Sequence, residues 1–304
     1  MKYIHIGGEL KAPAIAVGCM RITSLEHPAL SRYIHTALDG GANFFDHADI
    51  YGGGACEEAF GRVLAEEPGL RDKVIIQGKC GIRKEMYDFS KEHILESVEG
   101  ILRRLGTDRL DLLLLHRPDA LMEPEEVAAA FNALESSGKV LRFGVSNFSA
   151  RQLEFLQSGL KQKLLVNQLQ FGLMCTGLVT HALSANTPFP GAADRDGEVL
   201  DFCRLHRITV QAWSPLMYGF FEGVFLDNEK CPELNQKLRE LSEKYGASPQ
   251  TLAIAWILRH PARIQAICGT TNVQRLQDFC TACDVNLSRQ DWYALYLAAG
   301  NRLP

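Results

Sequence analysis

The chain has 304 residues, 46% hydrophobic and 22% charged, enough to bury a substantial core without disulfide staples. Lys+Arg 32 against Asp+Glu 36 leaves a net charge of −4 with no basic cluster, so neither nucleic acid nor an anionic membrane surface is an expected partner. The opening MKYIHIGGEL lacks the apolar core of a secretory signal, and the longest aliphatic run, Leu110–Leu115, is far too short to cross a bilayer. A soluble, cytoplasmic protein is the expectation.

In chain order, Tyr3–Ile6 and Glu9–Lys11 flank Gly7-Gly8 and predict a hairpin, suited to plug the bottom of a barrel. An apolar run at Ala14–Gly18 comes next, then a helical pattern at Pro28–Asp39 with Leu30, Ile34 and Leu38 on one stripe. Strand-like runs recur at Asn43–Asp46, Val74–Gln77, Leu110–His116, Leu141–Ser146, Leu165–Gln168, Thr209–Trp213 and Ile264–Cys268. None alternates, which is how parallel strands covered on both faces read. Helical patterns fill the intervals at Glu57–Leu64, Lys91–Leu105, Glu125–Leu134, Ala150–Leu156, Glu198–His206, Glu233–Tyr245 and Pro249–Leu258, with two more at Val273–Thr281 and Ser288–Ala298. Ser90, Pro124, Ser149 and Ser248-Pro249 supply their start signals.

Eight strands alternating with helices predict an α/β protein, a (β/α)8 TIM barrel with an N-terminal β-hairpin. A doubly wound sheet is the alternative, disfavoured because no Gly-x-Gly-x-x-Gly turn follows a strand. No linker divides the chain, so residues 1–304 read as a single domain. The tract Phe171–Gly197 is the one long irregular connection, and such loops tend to be functional. Nine scattered cysteines read as free thiols in a reducing compartment; Cys280-x-x-Cys283 has no second pair and lies in a helical pattern.

In such barrels the active site lies where the strands end. The second run ends at Asp46, followed by Tyr51; the third leads to Lys79 and the fourth to His116. A free tyrosine has a pKa near about 10, and a neighbouring Lys79 ammonium is expected to lower it. Asp46 would orient Lys79, and His116 would orient a carbonyl oxygen. Tyr51 is then a general acid beside a polarised carbonyl, the apparatus for reducing an aldehyde or ketone if a hydride source lies opposite. Two other chemistries fit parts of the set: a Schiff base on Lys79, or metal-dependent hydrolysis with His47, Asp49 and His116 as ligands. No metal is expected, since no His-x-His pair is present.

The motifs FFDHADIYGGGACEEAFG, Lys79 after a strand, LLLLHRPDALM, SGKVLRFGVSNFS and Trp213-Ser-Pro-Leu216 resemble the aldo-keto reductase superfamily, most closely its YdhF-like bacterial oxidoreductase branch. The resemblance runs from the hairpin to the last helices. It implies a catalytic tetrad of Asp46, Tyr51, Lys79 and His116, and NADP(H) bound without a Rossmann fold. It also implies that Ser146, Asn147 and Gln168 hold the nicotinamide carboxamide, that Trp213 stacks on its ring, and that Ser214, Pro215 and Leu216 run beside the pyrophosphate. Gly269, Thr270, Thr271 and Arg275 fall at the adenosine-phosphate site, with Thr270 and Thr271 opening a helix and Arg275 favouring NADP(H) over NAD(H). Asp278 is a weaker candidate for the adenine. Gly269 and Phe279 depart from the Lys and Asn of many relatives, which softens the expected preference. Some relatives are cofactor-binding subunits with vestigial catalysis, a further alternative.

The loops Cys19–Thr23, Cys80–Phe89 and Phe171–Gly197 are expected to set specificity, with Met20, Arg21, His47, Tyr87, Phe189 and Tyr218 as pocket candidates. A surface ion pair is the plainer reading of Arg21. The chain ends soon after its last helical pattern, which suggests an open site for small carbonyl substrates. No protein partner is implied.

Overall fold

Short, largely apolar strands must be covered on both faces, and closing a parallel sheet on itself achieves this with no free edge. A computed structural model, which describes residues 1–183 and 198–301, has this form. The strands β1 (Ile15–Gly18), β2 (Phe44–Asp46), β3 (Ile75–Cys80), β4 (Leu112–Leu115), β5 (Phe143–Ser146), β6 (Leu164–Gln170), β7 (Thr209–Trp213) and β8 (Gln265–Cys268) pair in parallel and close as a barrel in chain order. The closing ladder sets Ala266, Ile267 and Cys268 of β8 against Ile15, Ala16 and Val17 of β1. The expected strands are all present, Thr209–Trp213 with unchanged bounds and the others with ends shifted by at most three residues. The shift matters at β3, which continues through Lys79 to Cys80 and so carries the lysine inside the barrel instead of beyond it.

Helices form the outer layer. Ser149 caps the helix Ala150–Gly159 in a reciprocal capping box with Gln152, and Ser248 caps Pro249–Leu258 through the Thr251 N–H. Pro249–Leu258 is buried from Thr251 to Leu258 because other helices cover it. Trp256 and Trp292 stack there at 4.6 Å, and each indole N–H donates to the other's backbone carbonyl at 3.0 Å. Stacking satisfies the rings, and the exchange satisfies their polar atoms. Two short helices, Leu70–Lys73 and Gly177–Leu183, were not evident in the sequence pattern. Within the expected loop Cys80–Phe89 lies a small hairpin, Ile82–Arg83 against Met86–Tyr87. No disulfide links the nine cysteines. Cys280 lies in the helix Val273–Thr281, whereas Cys283 falls in the 3-10 turn that follows. Among the described residues no helix is long and apolar enough to cross a membrane.

The N-terminal strands Tyr3–Ile6 and Leu10–Pro13 form the expected hairpin. Its turn seats against the start of β6 and β7: the Gly7 N–H donates to Thr209 Oγ1 at 3.0 Å, and Lys163 Nζ donates to the Gly7 carbonyl at 2.6 Å. Gly7 has φ +60°, and a Cβ there would lie 2.4 Å from Leu165 Cδ2. Both the backbone and the close approach require glycine. Gly7→Ala is therefore expected to destabilise the fold by about 1–3 kcal/mol, read as a lowered midpoint in reversible urea unfolding. An unchanged midpoint would show that the turn is not held by this contact.

Candidate active site

Lys79 is fully buried in β3. An isolated ammonium at such a place is costly, so its partners decide whether it stays charged. Its Nζ donates to Asp46 Oδ1 at 2.6 Å and to the His47 carbonyl at 2.7 Å. Burial alone pulls the Lys79 pKa down, but the Asp46 carboxylate and Tyr51 outweigh it and leave the pKa above its ordinary value. An ammonium held in this way is not the neutral amine that Schiff-base chemistry needs.

Tyr51 opens the 3-10 turn Tyr51–Gly54, and Lys79 Nζ lies 4.9 Å from its ring centroid. The expected lowering of the Tyr51 pKa does not win. Burial raises it more than Lys79 lowers it, and the phenol is pushed up to about 12. The His116 ring lies edge-on to Tyr51, centroids 6.2 Å apart. Burial, Lys79 and Arg117 together hold the His116 pKa well below its usual value, so the imidazole is neutral, and its Nδ1 has no hydrogen-bond partner. Backbone bonds fix the frame: the Asp49 N–H donates to the Lys79 carbonyl and the His116 N–H to that of Cys80. Asp46, Tyr51, Lys79 and His116 thus converge on one rim.

Sequence reasoning missed what lies beneath them. Asp46 Oδ1 also accepts from Gln77 Nε2 at 2.6 Å and Gln168 Nε2 at 3.1 Å. Gln77 and Gln211 exchange hydrogen bonds at 2.9 and 3.0 Å, and Gln168 also donates to Gln211. Gln211 in turn donates to Gln265 at 2.7 Å, and Gln265 to the Pro13 carbonyl of the hairpin at 2.7 Å. Four glutamines on β3, β6, β7 and β8 form a buried belt through the barrel. The signal was available: one glutamine stands inside each of the apolar runs VIIQG, TVQAW and IQAIC.

Ser146, Asn147, Gln168 and Trp213 form a second group beside the first. Asn147, at φ +63°, donates to Ser146 Oγ at 2.8 Å and accepts from Trp213 Nε1 at 3.1 Å. Ser146 Oγ donates to the Gln168 carbonyl at 2.8 Å, while no donor among the described residues reaches Gln168 Oε1. Phe221 stacks on Trp213, 5.6 Å between centroids and 17° between planes. Ser214 has φ +46° and starts a turn closed by the Met217 N–H on its carbonyl. Pro215 follows, its carbonyl oxygen so near Gly172 that a Cβ there would sit 2.5 Å from it, and the Leu216 carbonyl accepts from the Phe225 N–H.

The segment after β8 corrects one expectation. Thr270 and Thr271 do not open the helix; Asn272 caps it through the Arg275 N–H, and Val273 is its first residue. An asparagine side chain takes the cap because its oxygen reaches the N3 N–H from an extended backbone. Thr270 instead accepts Tyr33 Oη on its carbonyl. Arg275 is exposed in the first helical turn. Asp278 is engaged by Gln250 and Gln274, and Phe279 is buried in the core. Gly269 is exposed, and a Cβ there would meet nothing within 4 Å.

Among the pocket candidates, His47 is fully buried against Phe60 with both ring nitrogens unpartnered, its pKa lowered to about 3 by burial and Lys79. Met20 and Tyr87 are exposed and Tyr218 is half-buried; Phe189 and residues 184–197 of its loop lie outside the described residues. Arg21 is exposed and, among the described residues, no acid pairs with it, which departs from the surface ion pair expected. Among the described residues no group of three or more His, Cys, Asp or Glu could hold a metal.

Removing one charge of the buried pair leaves the other uncompensated. Asp46→Asn is expected to lower unfolding free energy by about 3–5 kcal/mol, and Asp46→Asn/Lys79→Met to recover part of that loss. Urea denaturation of both variants checks this, and additive losses would show that the two charges are not coupled.

The aldo/keto reductase family pattern matches residues 14–296. The chain is 36% identical to an uncharacterised oxidoreductase of Bacillus subtilis, YcsN, and 36% identical to a 6-dehydroglucose reductase of Agrobacterium fabrum, each over 98% of both chains. It is 38% identical to the oxidoreductase YdhF of Escherichia coli over 89% of this chain and 87% of that one. A thermostable aldo-keto reductase solved with the inhibitor epalrestat superposes with TM-score 0.78 at 25% identity, over 98% of this chain and all of the other. A Klebsiella pneumoniae aldo-keto reductase solved with NADPH shares the fold with TM-score 0.78 at 24% identity, over 97% and 93% of the two chains.

Proposed function

The chain belongs to the aldo/keto reductase family, and from that premise we propose that it is an NADP(H)-dependent oxidoreductase that reduces small aldehydes or ketones to alcohols. The observation that carries this reading is the convergence of Tyr51 and His116 on a buried Lys79 ammonium held by Asp46. Bound NADPH supplies a hydride to the carbonyl carbon. Tyr51, kept protonated by burial, donates its proton to the carbonyl oxygen as negative charge develops there. Lys79 stabilises the tyrosinate left behind, and Asp46 holds the ammonium in place. Neutral His116 donates a hydrogen bond to the same oxygen and orients the carbonyl. Hydride and proton together convert the carbonyl to an alcohol.

The donor set fits a nicotinamide. Gln168 Oε1, on a buried side chain, takes no hydrogen bond from the described residues and is suited to a carboxamide NH2, and Ser146 and Asn147 stand beside it. Trp213 would offer the nicotinamide the face that Phe221 leaves open, and the turn Ser214–Leu216 supplies backbone for a pyrophosphate. We assign the adenosine phosphate to Gly269–Arg275, where an exposed guanidinium in a first helical turn favours a 2′-phosphate and hence NADP(H). The whole chain acts as one domain, without a metal, on a small carbonyl compound. The unlinked thiols favour the cytoplasm.

Oxidation of NADPH, followed by its absorbance with a reactive aromatic aldehyde, tests the reading. Tyr51→Phe is expected to reduce turnover by about 10²–10⁴-fold. No turnover by the unaltered protein across aldehydes, ketones and a glucose-derived aldehyde would favour a cofactor-binding subunit instead.

The pH dependence has a definite sign. Tyr51 carries its proton below about 12, so reduction loses no donor at neutral pH and declines only on the alkaline side. Alcohol oxidation needs the tyrosinate and is expected to climb with pH toward that value. Rate profiles in both directions check this, and parallel profiles would remove Tyr51 as the group exchanging the proton.

Gly269→Lys has room for its side chain and adds a cation near Arg275. It is expected to raise the NADPH-over-NADH ratio of kcat/KM by roughly tenfold, about 1.4 kcal/mol. An unchanged ratio would place the 2′-phosphate elsewhere.

A further inference from the structure

Arg117 follows His116 directly and precedes Pro118, so its backbone is confined to extended conformations. Its half-buried side chain reaches across the rim: the guanidinium carbon lies 5.9 Å from the Trp213 ring centroid and 5.6 Å from that of Phe220. Stacking on aromatic faces uses the flat sides of a guanidinium and leaves its N–H donors, which point outward in its plane, available. Among the described residues no carboxylate pairs with it. The nearest acid in sequence, Asp119, is committed to the N–H groups of Phe89 and Leu121.

The surroundings favour an anion. The rings of Trp213 and Phe220, set at 86° to each other, flank the guanidinium, and apolar surface beside it strengthens any bond its N–H groups make. Lys79 lies deeper in the barrel and is already matched by Asp46. His116, the adjacent imidazole, is neutral. Among the described residues, the Arg117 charge at this rim therefore has no counter-charge.

We propose that Arg117 binds an anionic group of the substrate, so that this chain acts preferentially on aldehydes or ketones bearing a carboxylate or comparable anion remote from the carbonyl. The inference rests on the reductase reading above and narrows its substrate class. The cofactor's phosphates are not the anion in question. Arg117 leaves β4, whereas Gly269–Arg275 follow β8, and in a closed barrel taken in chain order these two strands lie opposite each other. The guanidinium spans the ends of β5 and β6 to reach Trp213, over the nicotinamide side of the rim. A carboxylate there takes two parallel N–H donors and leaves the carbonyl end of the substrate to reach Tyr51 and His116.

The test uses the full chain with NADPH and two substrates differing only in charge, para-formylbenzoate and its methyl ester. The acid is expected to have the higher kcat/KM, with the advantage falling as ionic strength rises. Arg117→Met keeps an unbranched chain over the rings and is expected to reduce the acid-to-ester ratio by roughly ten- to hundredfold, mainly through KM for the acid. Arg117→Lys keeps the charge and should retain part of the ratio. Equal use of acid and ester by the unaltered protein, or a ratio unmoved by Arg117→Met, would overturn the inference while leaving carbonyl reduction in place. Preference for a neutral glucose-derived aldehyde over the acid would overturn it as well. Reduction of neither substrate nor any other carbonyl would mean that the reductase reading itself had failed, and the inference with it.

Discussion

A fully buried lysine is the constraint from which the rest of the site follows. Desolvation works against the charge on Lys79, and a neutral amine could not hold its neighbours in order. Asp46 prevents that, at the cost of placing a second charge in the interior. Its carboxylate is then satisfied by two glutamine amides in addition to the ammonium. Each buried group thus requires the next one. The chain of requirements ends only at a backbone carbonyl in the hairpin.

Barrel topology is what brings these groups together. Parallel strands all end on one face, so four residues spread from position 46 to 116 arrive at one rim without any local motif uniting them. The strands also contribute from inside, because alternate side chains point toward the axis. Gln77 and Lys79 are two apart on β3, and both reach Asp46 from neighbouring β2. A lysine one residue later would point into the helical shell. The extension of β3 to Cys80 is therefore as much a part of the site as the lysine itself.

Much of this was legible in the sequence. Strand and helix order gave the barrel, and Asp46, Tyr51, Lys79 and His116 stood at the ends of runs that any parallel barrel would align. The environment of those residues was not legible. Tyr51 was expected to be acidified by Lys79, but the sign of its shift depends on how much water reaches the phenol, which no spacing encodes. Gln77, Gln211 and Gln265 were passed over as single polar residues in apolar runs, although in a strand buried on both faces each had to find a partner. The helix after β8 has its expected bounds, Val273–Thr281, but its cap is Asn272 and not Thr270 or Thr271: all three are competent caps, and only the backbone path decides among them.

The hydrogen bond from Gln265 to Pro13 has an evolutionary consequence. Loops at the open face of a barrel can be exchanged freely, since each touches the chemistry only at its own tip. The N-terminal plug sits at the opposite end, where substitution would be expected to matter for folding alone. Here it is the last link of a polar relay that begins at Asp46, through Gln211 and Gln265. Recombination that swapped this hairpin for one from another barrel would therefore have to keep the backbone carbonyl of position 13 in the same place, or accept a drift in the orientation of a carboxylate on the far side of the molecule.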